Sequence, residues 1–398
     1  MDTCWGSPPD THLTTYFISA LSEGWIKMMP RPRIVVGMMD GLGLEYVAQS
    51  EMPIWKMLAA KGFSKTVSAV MPSVTNVNNV SIATSCFPKD HGISGNSYYD
   101  AKNNVPVYMN SADLIQTPTI FQKAKEAGVK SGLLTSKRKT VELFSKHTEV
   151  AIAAECPPDE YIEKYGTPAN IYSSEINQWL WTVAVDWLTN RPDLGLIYVH
   201  TTDYPMHAWP PEDERSKSHL TALDTLIGKA IDAAPDAGFF LTADHGMNFK
   251  TRCWDLFLVC KGAGTPIKFS LSPERDYYVK HHNNYAGCAY VYLNDSEDEP
   301  KVLKTLSDLP GVLEVLSRNA AAERFSLPPS TIGDLVVLAD KTTMFGDLQA
   351  ISEELSPTYR NHGSVFEMEV PLIIYNMTPP LPENEYQFNK DLLRGLFV

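Results

Sequence analysis

Short apolar runs alternate along this chain with longer stretches in which apolar residues recur every three or four positions. The runs read as buried strands and the periodic stretches as amphipathic helices. Three runs end in an acid: Arg33-Ile-Val-Val-Gly-Met-Met-Asp40, Leu196-Ile-Tyr-Val-His-Thr-Thr-Asp203 and Gly238-Phe-Phe-Leu-Thr-Ala-Asp244. A fourth, Ser131 to Thr135, leads into Lys137-Arg138-Lys139. Between them the pattern predicts helices from Ile54 to near Gly62, Thr119 to Gly128, Ser174 to Leu188 and Ser216 to Ala234. Such alternation of strand and helix predicts an α/β fold with a mostly parallel sheet covered on both faces.

The rhythm changes after His245. From about residue 262 to 350 the strands are shorter and wetter, as at Tyr285 to Leu293 and Asp334 to Ala339, and are broken by Pro, Gly, Asp and Ser. Leu293-Asn-Asp-Ser-Glu-Asp-Glu-Pro300 has loop chemistry. The α/β pattern resumes with His362 and the run Val370 to Tyr375. The expected division is a catalytic α/β core over 30–261 and 351–398, an inserted cap over 262–350, and an N-terminal extension over 1–29.

Composition narrows the function classes. The chain has 398 residues, 44% hydrophobic and 20% charged, the balance of a globular protein. A net charge of −13 argues against a nucleic-acid surface, because no basic stripe is available to neutralise phosphates. Any anionic substrate must then be held by metals and a few local cations. The six cysteines (Cys4, Cys86, Cys156, Cys253, Cys260 and Cys288) show no CxxC spacing and are expected to be reduced. The first thirty residues lack a basic start followed by an apolar core, and no run reaches membrane-span length. A cytoplasmic protein without membrane contact is the expectation.

Asp40, Thr75, Asp203, His207, Asp244, His245 and His362 read together as one two-metal site. Ligands in open α/β sheets bind beyond the carboxyl ends of the strands, so acids at three such ends share one crevice. Carboxylate and imidazole suit zinc, manganese or iron, and two close cations suit in-line displacement at phosphorus. Met71-Pro-Ser-Val-Thr75-Asn-Val-Asn-Asn precedes a helix-like stretch, so Thr75 is expected at a helix N-terminus that favours an anion. Each residue alone has a structural reading: N-cap for Thr75 or Asp203, turn residue for Asp40, His245 or His362. Their combination favours the metal site. His12, His147 and His219 have no partners in sequence and read as surface or structural, and His200 as buried support. His281-His282, in the cap, reads as a solvated loop, with a place facing the substrate as the alternative.

The set Asp40, Thr75, Asp203-x-x-x-His207, Asp244-His245-Gly and His362-Gly resembles the alkaline phosphatase superfamily in its phosphodiesterase-like branch. His91-Gly-Ile-Ser-Gly-Asn96-Ser-Tyr-Tyr-Asp100 resembles the HGIxxNxxYD segment of that branch. Within it, the stretch around Thr75 and Gly95-Asn-Ser-Tyr-Tyr-Asp100 look most like the phosphonoacetate hydrolases, although Val74 and Val77 stand where Phe and Pro are expected. The resemblance implies an alkaline-phosphatase-like three-layer sandwich with an inserted cap. It implies one Zn2+ on Asp203, His207 and His362, and a second on Asp40, Asp244, His245 and Thr75 Oγ, with Mn2+ or Fe2+ as substitutes. It also implies Thr75 as nucleophile, Asn96 as donor to a phosphoryl oxygen, and Lys137 and Lys139 as partners of a substrate carboxylate.

The expected reaction is hydrolysis of the C–P bond of a small anionic organophosphonate, phosphonoacetate, to acetate and phosphate through a Thr75 phospho-enzyme. A homodimer is left open as the assembly. One alternative is a nucleotide pyrophosphatase/phosphodiesterase, with Tyr204, Trp209 or Tyr98 as a slot for a base, or a related organophosphonate hydrolase. Another is a metal-binding sensor, which would have no need of a nucleophile.

Overall fold

The computed structural model describes residues 32–100, 102–277 and 279–398. The expected N-terminal extension, with Cys4 and His12, lies outside the described residues. The central sheet has seven strands in the order Phe63–Ser68, Glu369–Tyr375, Gly238–Thr242, Ile34–Met38, Leu194–His200, Lys130–Thr135 and Val150–Ala153. Glu369–Tyr375 runs antiparallel to both its neighbours, and the pairings of the four strands beyond Gly238–Thr242 are parallel.

Helices cover both faces, and the side-chain alternation shows it. Gly37 and Gly132 lie on one face, where the indoles of Trp181 and Trp187 from helix Glu175–Asn190 press onto the sheet. A Cβ at Gly132 would sit 2.5 Å from the Trp187 ring and one at Gly37 2.6 Å from Leu241, so this close approach requires glycine. Val36 is level with Tyr198, which points to the opposite face and meets Phe121 of helix Ile120–Glu126. Helices Pro53–Lys61 and Glu214–Ala233 join Glu175–Asn190 on the first side, whereas Thr75–Thr84 packs with Ile120–Glu126 and the turn Asn389–Leu393. The result is an α/β three-layer sandwich, as expected. All four helices expected from periodicity form, with ends shifted by one or two residues.

Residues 262–350 contain a second, antiparallel sheet in the order Phe269–Leu271, Cys288–Tyr292, Leu335–Ala339, Val312–Ser317. Apolar clusters line both its sides: one around Val291, Val337 and Leu306, the other around Tyr290, Leu338 and Ile332. Asn283 and Asn284, both with positive φ, turn the chain between the first two strands of this sheet, and the segment before them reaches back to the central sheet. The five described cysteines are free, and no helix among the described residues is long and apolar enough to cross a membrane.

One buried ion pair fastens the segment that carries His362. Lys250 Nζ donates to Glu367 Oε1 at 2.8 Å and to the carbonyl of Lys341 at 3.0 Å. Asn248 donates to the same carboxylate, and Ser364 donates to it through both its backbone N–H and its hydroxyl. Burial would raise the Glu367 carboxyl, but Lys250 and these donors hold it below its ordinary value. Its stabilisation is therefore present above that value and is lost as pH falls through the folded-state value. Glu367→Ala leaves Lys250 buried without its counter-charge and is expected to cost about 3–5 kcal/mol of stability, read by denaturant unfolding. An unchanged midpoint would show that Lys250 escapes to water.

Candidate active site

The sheet register explains why the acids converge. Met38 is level with His200 on one neighbouring strand and with Thr242 on the other, and His200 is level with Thr135. Asp40, Asp203, Asp244 and Lys137 therefore leave four adjacent strands at one edge, two or three residues past the last paired position. Backbone bonds hold them there. Asp40 N donates to Thr201 Oγ1 at 2.9 Å, and Gly41 N donates to Asp244 Oδ1 at 3.0 Å. Asn177 clamps Thr202 through both its amide ends, which fixes the approach to Asp203.

Thr75 opens helix Thr75–Thr84 directly after an extended Val74, as the sequence predicts. The asparagines behind it build the turn. Asn78 accepts from Val70 N and donates to the carbonyls of Val70, Pro72 and Val74, while Asn79 meets His200 Nε2 at 3.3 Å. Asn389, far away in sequence, donates to Asn78 Oδ1 and to the carbonyls of Ala243 and Asp244. It thus ties the turn of Thr75 to the loop of Asp244. Nothing local in the sequence around Asn389 marks that role.

Two groups of ligand atoms result. One atom each from Asp203, His207 and His362 lie within 4.8 Å of one another, and so do atoms of Asp40, Asp244 and His245. Thr75 Oγ1 sits 3.2 Å from His245 Nε2. In all three histidines Nδ1 faces a carbonyl: Arg360 O for His207, Gly246 O for His245 and Ser73 O for His362. A carbonyl only accepts, so each Nδ1 carries the proton and each Nε2 presents a lone pair to the site. That is the tautomer a metal needs.

The donor set fits divalent cations. Both carboxylate oxygens of Asp40, Oδ2 of Asp244 and Nε2 of His362 are buried without a hydrogen-bond partner. Orphaned buried acceptors of this kind are costly unless a cation meets them. Burial, with the charges of Asp203 and Asp244, pushes the Asp40 carboxyl up to about 7, and burial pushes Asp244 up to about 6. Burial would raise Asp203 too, but Lys137, His281 and His207 pull it well below its ordinary value. Burial keeps His362 and His245 neutral, His362 aided by its neighbour His245.

One reading changes. His281 and His282 are not a solvated loop: both are buried, His281 Nε2 lies 3.1 Å from Asp203 Oδ1, and His282 Nε2 lies 3.5 Å from Glu274 Oε2. The segment before Asn283 turns inward, and apolar–polar pattern alone cannot tell an inward polar loop from a wet one. Asn96 reaches the pocket beside Thr75, but its amide group donates to Glu274 Oε2 at 2.9 Å and to Glu274 O at 3.3 Å. Lys137 and Lys139 are buried, and each meets protein carboxylates. Lys137 Nζ is 3.4 Å from Asp203 Oδ1 and 3.6 Å from Asp40 Oδ2, while Lys139 Nζ bonds Asp276 Oδ2 and Asn96 Oδ1. Thr75, Asn96, both lysines, Asp203 and His281 line one pocket. Glu274 and Asp276, also in that lining, were not singled out in the sequence, where they sit in an unremarkable Pro-Glu-Arg-Asp turn. His200, as expected, is buried support, bonded to Thr135 and Asn79. His219 is likewise buried and structural, near Asn177.

Comparisons agree with this geometry. Phosphonoacetate hydrolase from Sinorhizobium meliloti 1021, solved with phosphonoformate, is similar with a TM-score of 0.82 and 29% identity, covering 91% of this chain and 95% of that one. The same protein solved with phosphonoacetate gives a TM-score of 0.83 and 28% identity over the same shares. Murine ectonucleotide pyrophosphatase/phosphodiesterase 5 shares the fold, with a TM-score of 0.63 and 17% identity over 86% of this chain and 88% of its own. Venom phosphodiesterase of Naja atra is 25% identical over 228 residues, 54% of this chain and 26% of that protein. Ectonucleotide pyrophosphatase/phosphodiesterase family member 1 of Mus musculus is 26% identical over 234 residues, 54% of this chain and 24% of its own. The match thus spans about a quarter of the length of these two relatives. The type I phosphodiesterase / nucleotide pyrophosphatase profile matches residues 34–364, a span that includes all six residues of the two clusters as well as Thr75, and the chain belongs to that family, within the alkaline phosphatase superfamily.

Proposed function

We propose that this protein hydrolyses the C–P bond of a carboxylate-bearing phosphonate, with phosphonoacetate as the substrate that fits best. The observation that carries the reading is the pair of buried lysines, Lys137 and Lys139, in the pocket that contains Thr75. A phosphodiester has no group that needs two ammoniums there, whereas a phosphonate with a carboxylate does. The likeness to a phosphonoacetate hydrolase over 91% of the chain supports the same reading. In it, residues 30–261 and 351–398 form the catalytic core and 262–350 the cap.

Asp203, His207 and His362 would hold one zinc, and Asp40, Asp244, His245 and Thr75 the other, with manganese or iron as substitutes. Divalent cations there supply Lewis-acid charge, which favours the ionised form of a neighbouring hydroxyl and offsets charge on phosphoryl oxygens. Thr75 Oγ attacks phosphorus in line from the head of its helix, where the N-terminus also favours the anion. The Oγ–P bond forms as the P–C bond breaks, and the electron pair stays on carbon, delocalised into the carboxylate. Lys137 and Lys139 stabilise that charge, and water protonates the carbon to give acetate. A second water then hydrolyses the phosphothreonine, releasing phosphate and restoring the hydroxyl.

The aromatic residues favour this reading over a base-binding slot. Tyr204 meets Tyr172 and Trp209 edge-on, at 64° and 71°, so these rings close on one another instead of flanking a gap. Tyr98 lines a separate groove with Lys268 and Arg318.

The test is substrate-selective. Lys137→Ala or Lys139→Ala is expected to lower kcat/KM for phosphonoacetate about ten- to a hundredfold, the worth of a charge-assisted hydrogen bond. Both KM and kcat should suffer, because the same charge binds the ground state and stabilises the carbanion. A nitrophenyl phosphodiester should be cleaved nearly as well by the variants as by the parent. Equal losses on both substrates would show that the lysines serve the metal acids instead.

A further inference from the structure

The groups expected to read the substrate do not stand alone: the segment between the first two strands of the second sheet, Phe269–Leu271 and Cys288–Tyr292, aims them. Asn96 is bound to that segment at three points. Its backbone N–H donates to Pro273 O at 2.6 Å, and its side-chain amide donates to Glu274 Oε2 and Glu274 O. Its Oδ1 accepts from Lys139 Nζ at 2.9 Å. The chemistry of these neighbours fixes which way the amide points, since an ammonium only donates and a carboxylate only accepts. Lys139 Nζ also bonds Asp276 Oδ2, so two of its three donors are set by Asn96 and Asp276, and one remains for a substrate oxygen. Lys139, Glu274 and Asp276 are all buried, and Glu274 Oε1 has no hydrogen-bond partner. Neither acid belongs to the metal clusters.

We propose that Glu274 and Asp276 are positioning residues. Glu274 orients Asn96 for the phosphoryl group, and Asp276 orients Lys139 for the carboxylate, so that substrate selectivity is set from the inserted segment. The proposal rests on the roles assigned above to Asn96 and Lys139, and it separates the two acids by what they control. A buried lysine held at one geometry presents its remaining donor without first being ordered by the substrate. An amide held by a carboxylate gains the same advantage, and a neutral acceptor of the same shape provides most of it.

Five variants of the metal-loaded full chain test this on phosphonoacetate and on a nitrophenyl phosphodiester: Asp276→Asn, Glu274→Ala, Glu274→Gln, Lys139→Ala, and Lys139→Ala combined with Asp276→Asn. Unfolding midpoints establish that each is folded, and the two isosteric changes keep the shape of the site. Asp276→Asn is expected to raise KM for phosphonoacetate about tenfold and to affect the phosphodiester much less, since only phosphonoacetate offers a carboxylate to Lys139. On the Lys139→Ala background it should add nothing, since it acts through that lysine. Glu274→Ala is expected to lower kcat/KM about tenfold on both substrates, and Glu274→Gln to restore most of the loss.

Binding of phosphonoformate, followed by calorimetry, gives a readout that needs no turnover, and Asp276→Asn should weaken it. A lower KM in Asp276→Asn, additivity with Lys139→Ala, or Glu274→Gln as damaged as Glu274→Ala would overturn the proposal. Failure of the C–P reading looks different: the parent would cleave the phosphodiester and leave phosphonoacetate intact, while the Glu274 arm would still read on the phosphodiester.

Discussion

Thr75→Ala is expected to reduce turnover by about four to six orders of magnitude, the scale on which an enzyme loses rate with its nucleophile. The hydroxyl heads a helix, its Oγ1 lies 3.2 Å from His245 Nε2, and it lines the pocket that holds both lysines. Six acids and histidines remain after the substitution, so metal content should stay near that of the parent. The helix should persist, because Asn78 rather than Thr75 ties down the turn before it. Elemental analysis and the unfolding midpoint check both points. Retained activity with both ions present would mean that water attacks phosphorus directly.

Metal removal should have an effect of similar size. The two carboxylate oxygens of Asp40, Oδ2 of Asp244 and Nε2 of His362 are buried with no protein hydrogen bond to take a cation's place. Chelation is therefore expected to abolish hydrolysis of any substrate, and zinc to restore it. Stability should follow: each ion that binds only the folded chain adds about 2.7 kcal/mol at a hundred times its dissociation constant. His362→Ala or His207→Ala should weaken one ion, and Asp244→Ala the other, as read by metal titration. Full activity in a preparation shown to be metal-free would contradict the whole arrangement.

Much of this site was legible because parallel strands leave their chemistry at one edge. Asp40, Asp203 and Asp244 could be read as neighbours since each ends an apolar run, and the register of Met38 with His200 and Thr242 places them level. Thr75 was legible from the polar turn that precedes its helix. The inward course of the segment through Glu274, Asp276, His281 and His282 was not. Charged and imidazole side chains near a Pro and two Asn have the composition of a wet loop, and only the partners across the site, Asn96, Lys139 and Asp203, explain their burial. The part played by Asn389 was equally hidden, because its contacts with Asn78 and Asp244 lie more than a hundred residues away in sequence. Local periodicity locates elements. It carries no record of which loop closes over which.

The most direct test of the central claim is the release of acetate and phosphate from phosphonoacetate by the zinc-loaded chain, measured beside nitrophenol release from a nitrophenyl phosphodiester. The account predicts equal amounts of acetate and phosphate, with kcat/KM on phosphonoacetate well above that on the phosphodiester. Efficient cleavage of the phosphodiester with no phosphate from phosphonoacetate would contradict it, and would assign the buried lysines to holding the acids around the metals.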